Sequence, residues 1–483
     1  MTQRNLIAGT WREGDAWISV THPFTGEELE RVAVATTDQV DEAIAAASAS
    51  METLRALTVY ERAQILRAIA DGIDAKAPSL SQTLSAEAGK PIAQERAEVT
   101  RASETFRFAA EEVRSARGES LELDAALSGA GKWGVIRRFP VGPVSAITPF
   151  NFPLNLVVHK IAPAIAAGCP VVLKPADKTP LSALALAKII EDAGWPKGAL
   201  SVLNTTVERT TPLVEDPRMR LLSFTGSGAV GWDLKARAGQ KKVLLELGGD
   251  AAVIVSEGGP RPKTEAWDAM IRRVALGAFA YGGQVCISVQ RVLVQASLYE
   301  AFVEDLVDAV HTHVRVGPPE DERAVMSALI DDRAVEKVQR FVSDALARGA
   351  KRLTGGHREG EGSGRLFDPM VLVNVPQDAL LACDEVFGPV VAVWPYETLD
   401  EAFERVNQSP YGLQAGIYTH DLREATRAFE ELEVGAVLIG EIPTWRVDQM
   451  PYGGVKASGF GREGLKETLL EYTEPRLCVL PRS

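Results

Sequence analysis

The sequence predicts an α/β protein of two domains plus an extended arm, on three observations. Its 483 residues exceed one ordinary domain and suggest two large ones or about three. From residue 141 onward, short apolar runs alternate with helical patterns, at a spacing that builds a parallel sheet covered on both faces. Beyond Gly258-Gly259 that alternation starts a second time, whereas 119–140 alternates apolar with polar residues and the tail reads as extended.

The elements follow in order. Strand signals at 16–20 and 29–34 are mixed with helical periodicity, carried by Ile44 and Ala47 and then by Ile65, Leu66, Ile69 and Ile73. A long helix is expected over 93–114 and an extended strand over 133–139. The first sheet takes 144–148, 171–174, 200–203, 221–224 and 243–247, with helices at 154–167, 182–193 and 230–238. Ligands of such sheets bind beyond the carboxyl ends of the strands. Asn151, Lys174, Asp177 and Ser227 all fall on that side. The second unit takes helices at 266–279, 298–311 and 334–347 and strands at 291–294, 371–375, 390–394 and 436–439. A last extended segment is read over 469–480.

Composition removes several function classes. Hydrophobic residues at 46% and charged residues at 24% allow a large core without disulfides or metals. Lys+Arg 52 against Asp+Glu 65 leaves a net charge of −13 and no basic run, which argues against nucleic acid or anionic membrane as partner. The longest apolar stretch, 161–173, is too short to span a bilayer and is broken by Pro163 and Pro170. No signal peptide is read at the start. The four cysteines form no CxxC pair and the six histidines no metal motif, so no metal is expected and a reducing cytoplasm is the expected compartment.

Several local patterns carry chemistry. Gly226-Ser227-Gly228-Ala229-Val230-Gly231 matches GxGxxG between a strand and a helix, with Glu246 twenty residues after Gly226 where a ribose-binding acid is expected. A glycine-rich turn needed only for packing explains the same residues. Cys286 follows Gly282-Gly283, either as a small buried hydrophobe or as a thiolate nucleophile that a ligand approaches over the glycines. Glu246 is a carboxylate inside an apolar strand, either a structural ion-pair member or a general base raised by its setting. Asn151 is a helix cap or an oxyanion donor. Lys174 ends a buried strand, where it either snorkels to the rim or meets an anionic or hydroxyl-rich partner.

Taken together, these segments resemble the aldehyde dehydrogenase superfamily. The resemblance rests on Pro149-Phe150-Asn151-Phe152-Pro153, Leu173-Lys174-Pro175-Ala176-Asp177, Phe224-Thr225-Gly226-Ser227, Leu245-Glu246-Leu247-Gly248-Gly249, Gly283-Gln284-Val285-Cys286, Glu385-Val386-Phe387-Gly388-Pro389 and Pro451-Tyr452-Gly453-Gly454-Val455-Lys456. Each is weak alone; the ordered set is specific. It implies an aldehyde dehydrogenase-like fold, with 1–118 and 141–245 as a Rossmann-type dinucleotide-binding domain and 246–440 as the catalytic domain. Residues 119–140 and 464–483 would form the oligomerisation arm of a homodimer or homotetramer. Cys286 would attack the aldehyde, Asn151 and the Cys286 N–H would hold the oxyanion, and Glu246 would activate water, with Glu463 carrying protons behind it. Lys174 and Asp177 would meet the adenine ribose, Gly226 and Ser227 the pyrophosphate, and Glu385 the nicotinamide ribose, with Phe387 and Phe150 also at the cofactor. This role for Glu246 replaces the ribose assignment.

Some residues depart from the resemblance. Phe150 stands where many members carry Trp, Val285 where some carry Arg, and Asp177 where many NAD-preferring members carry Glu. Lys178 adjoins Asp177, so NAD is favoured over NADP on the acid's repulsion of a 2′-phosphate, and NADP stays open. The 155–159 run and Pro443-Thr444-Trp445-Arg446 look like branches acting on small polar aldehydes such as lactaldehyde, glyceraldehyde phosphate or phosphonoacetaldehyde. Arg107, His159 and Arg446 are the candidates for an anion pocket there; for Arg107, an ordinary surface ion pair explains the residue equally well. The rival readings are a coenzyme-A-acylating relative, against which Glu246 argues, and a non-catalytic relative, which would not need Cys286, Glu246 and Asn151 together.

Overall fold

The continuous apolar runs of the first unit place strands Val144–Ile147, Val171–Lys174, Leu200–Val202, Leu221–Thr225 and Lys242–Glu246 side by side and parallel, as expected for strands buried on both faces. The protein is described by a computed structural model covering residues 2–115, 118–360 and 362–482. Met1, Ala116, Arg117, Glu361 and Ser483, which the expected domain spans include, lie outside the described residues.

This first sheet has eight strands, in the order Gly459–Phe460, Lys242–Glu246, Leu221–Thr225, Val144–Ile147, Val171–Lys174, Leu200–Val202, Asn5–Ile7 and Thr10–Arg12. Its outer strands are antiparallel additions from distant parts of the chain, which local periodicity does not reveal. Strands Thr2–Gln3, Glu28–Val34 and Ala16–Thr21 form a separate three-stranded sheet. Helices Val59–Ala75, Ile92–Ser115 and Asn155–Ala167 cover the parallel strands through one apolar core that includes Leu66, Ile69, Phe106 and Val158.

The second sheet has seven strands, from Lys351–His357 through Phe367–Val373, Val390–Tyr396, Arg291–Gln295, Ala252–Val255 and Gln414–Tyr418 to Ala436–Ile439. Three of these, Lys351–His357, Ala252–Val255 and Gln414–Tyr418, are absent from the sequence reading, as are helices Leu399–Asn407 and Leu422–Glu431. Strands of four or five residues carry too few to show a period, and Lys351–His357 is too polar and glycine-rich to read as an apolar run, so only their neighbours identify them.

Two boundaries move. Glu246 closes a strand of the first sheet rather than opening the second unit. Residues 464–472, expected in the extended arm, contain instead the helix Leu465–Glu471, whose Leu465 and Leu469, with Tyr472 beyond it, bury themselves in the first core. The arm proper is the three-stranded sheet of Glu119–Leu121, Lys132–Pro140 and Thr473–Pro481, which leaves Leu477, Val479 and Leu480 exposed. Among the described residues, no helix is long and apolar enough to cross a membrane.

Candidate active site

Between the two large sheets lies a cavity of about 690 Å³, lined from one side by residues following the first sheet's strands and from the other by the loop carrying Cys286. That loop is shaped by three consecutive left-handed residues, Tyr281 (φ 52°), Gly282 (φ 62°) and Gly283 (φ 70°). At Gly283 a Cβ would sit 2.2 Å from the Gly388 carbonyl oxygen, so only glycine lets the two loops meet. Phe387, on the opposing loop, also holds a left-handed φ of 52°, uncommon for a bulky side chain, and its ring meets Phe150 edge-on at 6.0 Å. Both rings line the cavity.

Cys286, Asn151, Glu246 and Glu463 all reach this cavity. Burial pushes the Cys286 thiol up to about 11, and the Tyr452 hydroxyl, 3.2 Å from Sγ, is the main influence pulling it back. The Asn151 amide donates one N–H to the Gln284 carbonyl at 2.9 Å, which leaves its second N–H free to serve a ligand. The backbone N–H of Cys286 has no acceptor among the described residues. Burial first, and the Glu463 carboxylate second, hold Glu246 well above the usual carboxylate range. Its Oε2 has no hydrogen-bond partner. Burial alone would raise Glu463 as well, but the Lys160 ammonium at 3.0 Å, helped by the Arg446 charge, outweighs it and holds that carboxyl low. One carboxyl is thus poised as an acid or base while its neighbour stays charged.

Asn151 is positioned from beneath by residues the sequence reading did not single out. Glu98 accepts hydrogen bonds from the backbone N–H groups of Leu154 and Asn155, both at 3.0 Å, and so caps the helix Asn155–Ala167. Lys90 pairs with Glu98, lies 3.5 Å from the Asn151 carbonyl and sits 3.8 Å from the centre of the Phe152 ring. The sequence reading passes over Lys160 too, although a charge inside an apolar helix is the signal that could have found it; it is fully buried and donates to Ser223, Thr225 and Glu463. A buried lysine without such partners would be very costly.

The expected anion pocket is reorganised. Arg107 does not reach the cavity: it pairs with Asp71 and Asp74 at 3.0 and 2.7 Å on the outer face of its helix. Helical geometry explains this, since six residues earlier on the same helix Arg101 faces the cavity instead, clamped bidentately by Asp448 at 2.6 and 3.0 Å. His159 stands behind Arg446 rather than in the cavity lining. Burial, and then the Arg446 charge, lower its pKa, so it stays neutral; Nδ1 accepts from Arg446 at 3.1 Å while Nε2 donates to Asp448 at 2.9 Å. Arg446 itself lines the cavity, its guanidinium 3.5 Å above the Tyr452 ring. It forms no ion pair among the described residues, and its Nε is buried without a partner. That leaves a cation without a direct ion-pair partner facing the cavity, with the Glu463 carboxylate as its nearby counter-charge.

A dinucleotide fits the other end. Helix Gly228–Arg237 opens at Ser227 with no side chain capping its N–H groups, and Gly226 and Ser227 face the cavity there. Gly231 serves packing: a Cβ would lie 2.4 Å from Leu247. Glu385 lines the same end, pushed up to about 7 by burial while it accepts the Gly249 N–H at 2.9 Å. Lys174 and Asp177 lie beyond the cavity lining, paired with each other. Lys178 turns instead to Asp331, at 3.6 Å.

Comparison with known proteins gives a consistent likeness. The model of the aldehyde dehydrogenase family matches residues 11–478. A 3-sulfolactaldehyde dehydrogenase of Priestia megaterium is 39% identical over 475 residues, 98% of this chain and 97% of that protein. The crystal structure of an aldehyde dehydrogenase from Physcomitrella patens in complex with the reaction product succinate is 42% identical, with a TM-score of 0.96 over 100% of this chain and 98% of that one. The NADP-dependent glyceraldehyde-3-phosphate dehydrogenase of Bacillus halodurans complexed with NADP superposes with a TM-score of 0.95 at 33% identity, each chain covered over 100%.

Proposed function

The chain belongs to the aldehyde dehydrogenase family, and from that premise we propose that it oxidises a small anionic aldehyde to the carboxylic acid with NAD(P), through Cys286. The observation that carries the reading is the shared cavity of Cys286, Asn151, Glu246 and an unpaired Arg446. An aldehyde releases hydride readily only after a nucleophile has made its carbon tetrahedral. Cys286 supplies that nucleophile, and the free N–H of Asn151 with the Cys286 backbone N–H receives the charge that develops on oxygen. Gly226, Ser227 and Glu385 would hold the dinucleotide, which when bound would supply the hydride acceptor. Glu246 then takes a proton from the water that opens the thioester, and Glu463, fixed by Lys160, carries it onward. The same carboxylate supports transfer to water rather than to coenzyme A. An aldehyde panel with NAD and NADP, followed through the absorbance of reduced cofactor, tests the reading; no turnover with any carboxylated, sulfonated or phosphorylated aldehyde would defeat it.

Arg446 gives the substrate its charge preference. The net charge of −13 offers an anion no long-range help, so a local cation must hold it. A guanidinium grips a carboxylate, sulfonate or phosphate with two parallel donors. One charge-assisted hydrogen bond is worth about 1.5–3 kcal/mol. Arg446→Ala should therefore lower kcat/KM roughly ten- to a hundredfold with an anionic aldehyde and hardly at all with propanal. Equal losses on both would mean that Arg446 only supports its loop. The names of the relatives above include substrates of this anionic kind.

NAD is the preferred cofactor on this reading. The Asp177 carboxylate, although paired with Lys174, would repel a 2′-phosphate, and the adjoining Lys178 is drawn toward Asp331. We expect kcat/KM for NAD to exceed that for NADP by about tenfold. Parallel titrations of the two cofactors at saturating aldehyde check this, and a lower KM for NADP at equal turnover would reverse the preference.

A further inference from the structure

Among the described residues, Tyr452 is the one side chain hydrogen-bonded to the Cys286 sulfur, and the chemistry described so far does not use it. Its ring is buried among Tyr281, Val285, Ile287 and Leu413. Its backbone is clamped antiparallel to Glu463, with N–H···O distances of 2.9 and 2.7 Å. That clamp fixes where the hydroxyl points. Among the described residues, the only hydrogen-bond partner of the hydroxyl is Cys286 Sγ at 3.2 Å. The face of the same ring carries the Arg446 guanidinium at 3.5 Å. One aromatic plate thus joins the residue that would grip the substrate's anionic group to the atom that would attack its carbonyl.

We propose that the Tyr452 hydroxyl is a catalytic hydrogen-bond donor to the Cys286 thiolate, and that Arg446, stacked on its ring, keeps the phenol in place and polarised for that role. The proposal rests on the reading of Cys286 as nucleophile. Three further observations support it. Burial holds the Tyr452 phenol well above the usual tyrosine range, so it keeps its proton and is the donor once the thiol ionises. The other ionisable groups around the sulfur are Glu385 and Glu246, which oppose a thiolate, and Arg446, which favours one. Cys286 does not lie at the N-terminus of a helix, so no aligned backbone dipole offsets the two carboxylates. A hydroxyl at hydrogen-bond distance is then the most direct means of stabilising the anion. A cation over the ring face draws electron density from the phenol and strengthens its O–H as a donor.

Tyr452→Phe removes the hydroxyl and keeps the ring, and with it the platform for Arg446. Iodoacetamide alkylation at Cys286, resolved by peptide mass because Cys383 and Cys478 are also exposed, reads the thiolate without any turnover. Without the donor, the thiol should titrate about one to two pH units higher, so that alkylation below that midpoint slows about ten- to a hundredfold. In turnover, kcat should fall for anionic and neutral aldehydes alike while KM stays near wild type. An unchanged alkylation profile overturns the proposal, as does a loss confined to KM for the anionic aldehyde. Failure of the underlying reading is seen separately: Cys286→Ala would then retain turnover, whereas an idle Tyr452 leaves Cys286→Ala inactive and Tyr452→Phe normal.

Discussion

Cys286→Ala should reduce aldehyde-dependent formation of reduced cofactor by more than about a thousandfold, because among the described residues Cys286 carries the one thiol lining the cavity. Asn151 and Glu246 would remain, but an oxyanion donor and a base have nothing to act on without a covalent adduct. Cofactor affinity should stay near wild type, since Gly226, Ser227 and Glu385 sit on other elements. The substitution removes one sulfur from a site whose loop is held by the left-handed turn at 281–283 and by the close approach of Gly283 to Gly388, so the fold should persist. Initial rates with a reactive aldehyde, together with a cofactor titration on the same sample, check both halves. Turnover within tenfold of wild type would end the covalent mechanism.

Glu246→Gln should separate the two halves of the reaction. The first turnover should still release about one equivalent of reduced cofactor per site, because adduct formation and hydride loss do not need the base. The steady-state rate should then fall about a hundred- to ten-thousandfold, the range for loss of a general base. Stopped-flow absorbance resolves the burst from the stall. In the wild-type enzyme, the sign of the pH dependence follows from the raised pKa. Glu246 is protonated and idle below it, so deacylation should rise with pH as the carboxyl ionises and level off once it has. If Glu246→Gln instead lost cofactor affinity with no stall, the acid would be a ribose ligand, as its place twenty residues after Gly226 first suggests.

Most of the chemistry-bearing residues were legible because their local sequence is abnormal. A carboxylate in Leu244-Leu245-Glu246-Leu247 and a lysine closing the apolar run before Pro175 are both expensive to bury without a purpose. The anion pocket was legible only in part. Arg107 and Arg101 lie on one helix and differ by six residues, a rotation that turns one outward to Asp71 and Asp74 and the other inward to Asp448. No composition or motif distinguishes them; the helix phase against the core does. His159 likewise reads as a ligand by residue type, yet packing places it behind Arg446 as a neutral acceptor.

By itself, the sequence determined the alternation of strands and helices, the two large units and the arm strand at 133–139, while the nucleophile, oxyanion and base candidates came from the ordered motifs that resemble the aldehyde dehydrogenase superfamily. The elements follow from periodicity, which acts over a few neighbouring residues, and the site candidates from motifs that are weak one by one and specific as an ordered set. Only the tertiary structure decided that Gly459–Phe460 returns to the first sheet, that Leu465–Glu471 is a buried helix rather than arm, and that Tyr452 touches Cys286 across 166 residues of chain. Contacts of that range are set by how whole elements pack, where the free energy is shared among many side chains and no single segment carries the signal.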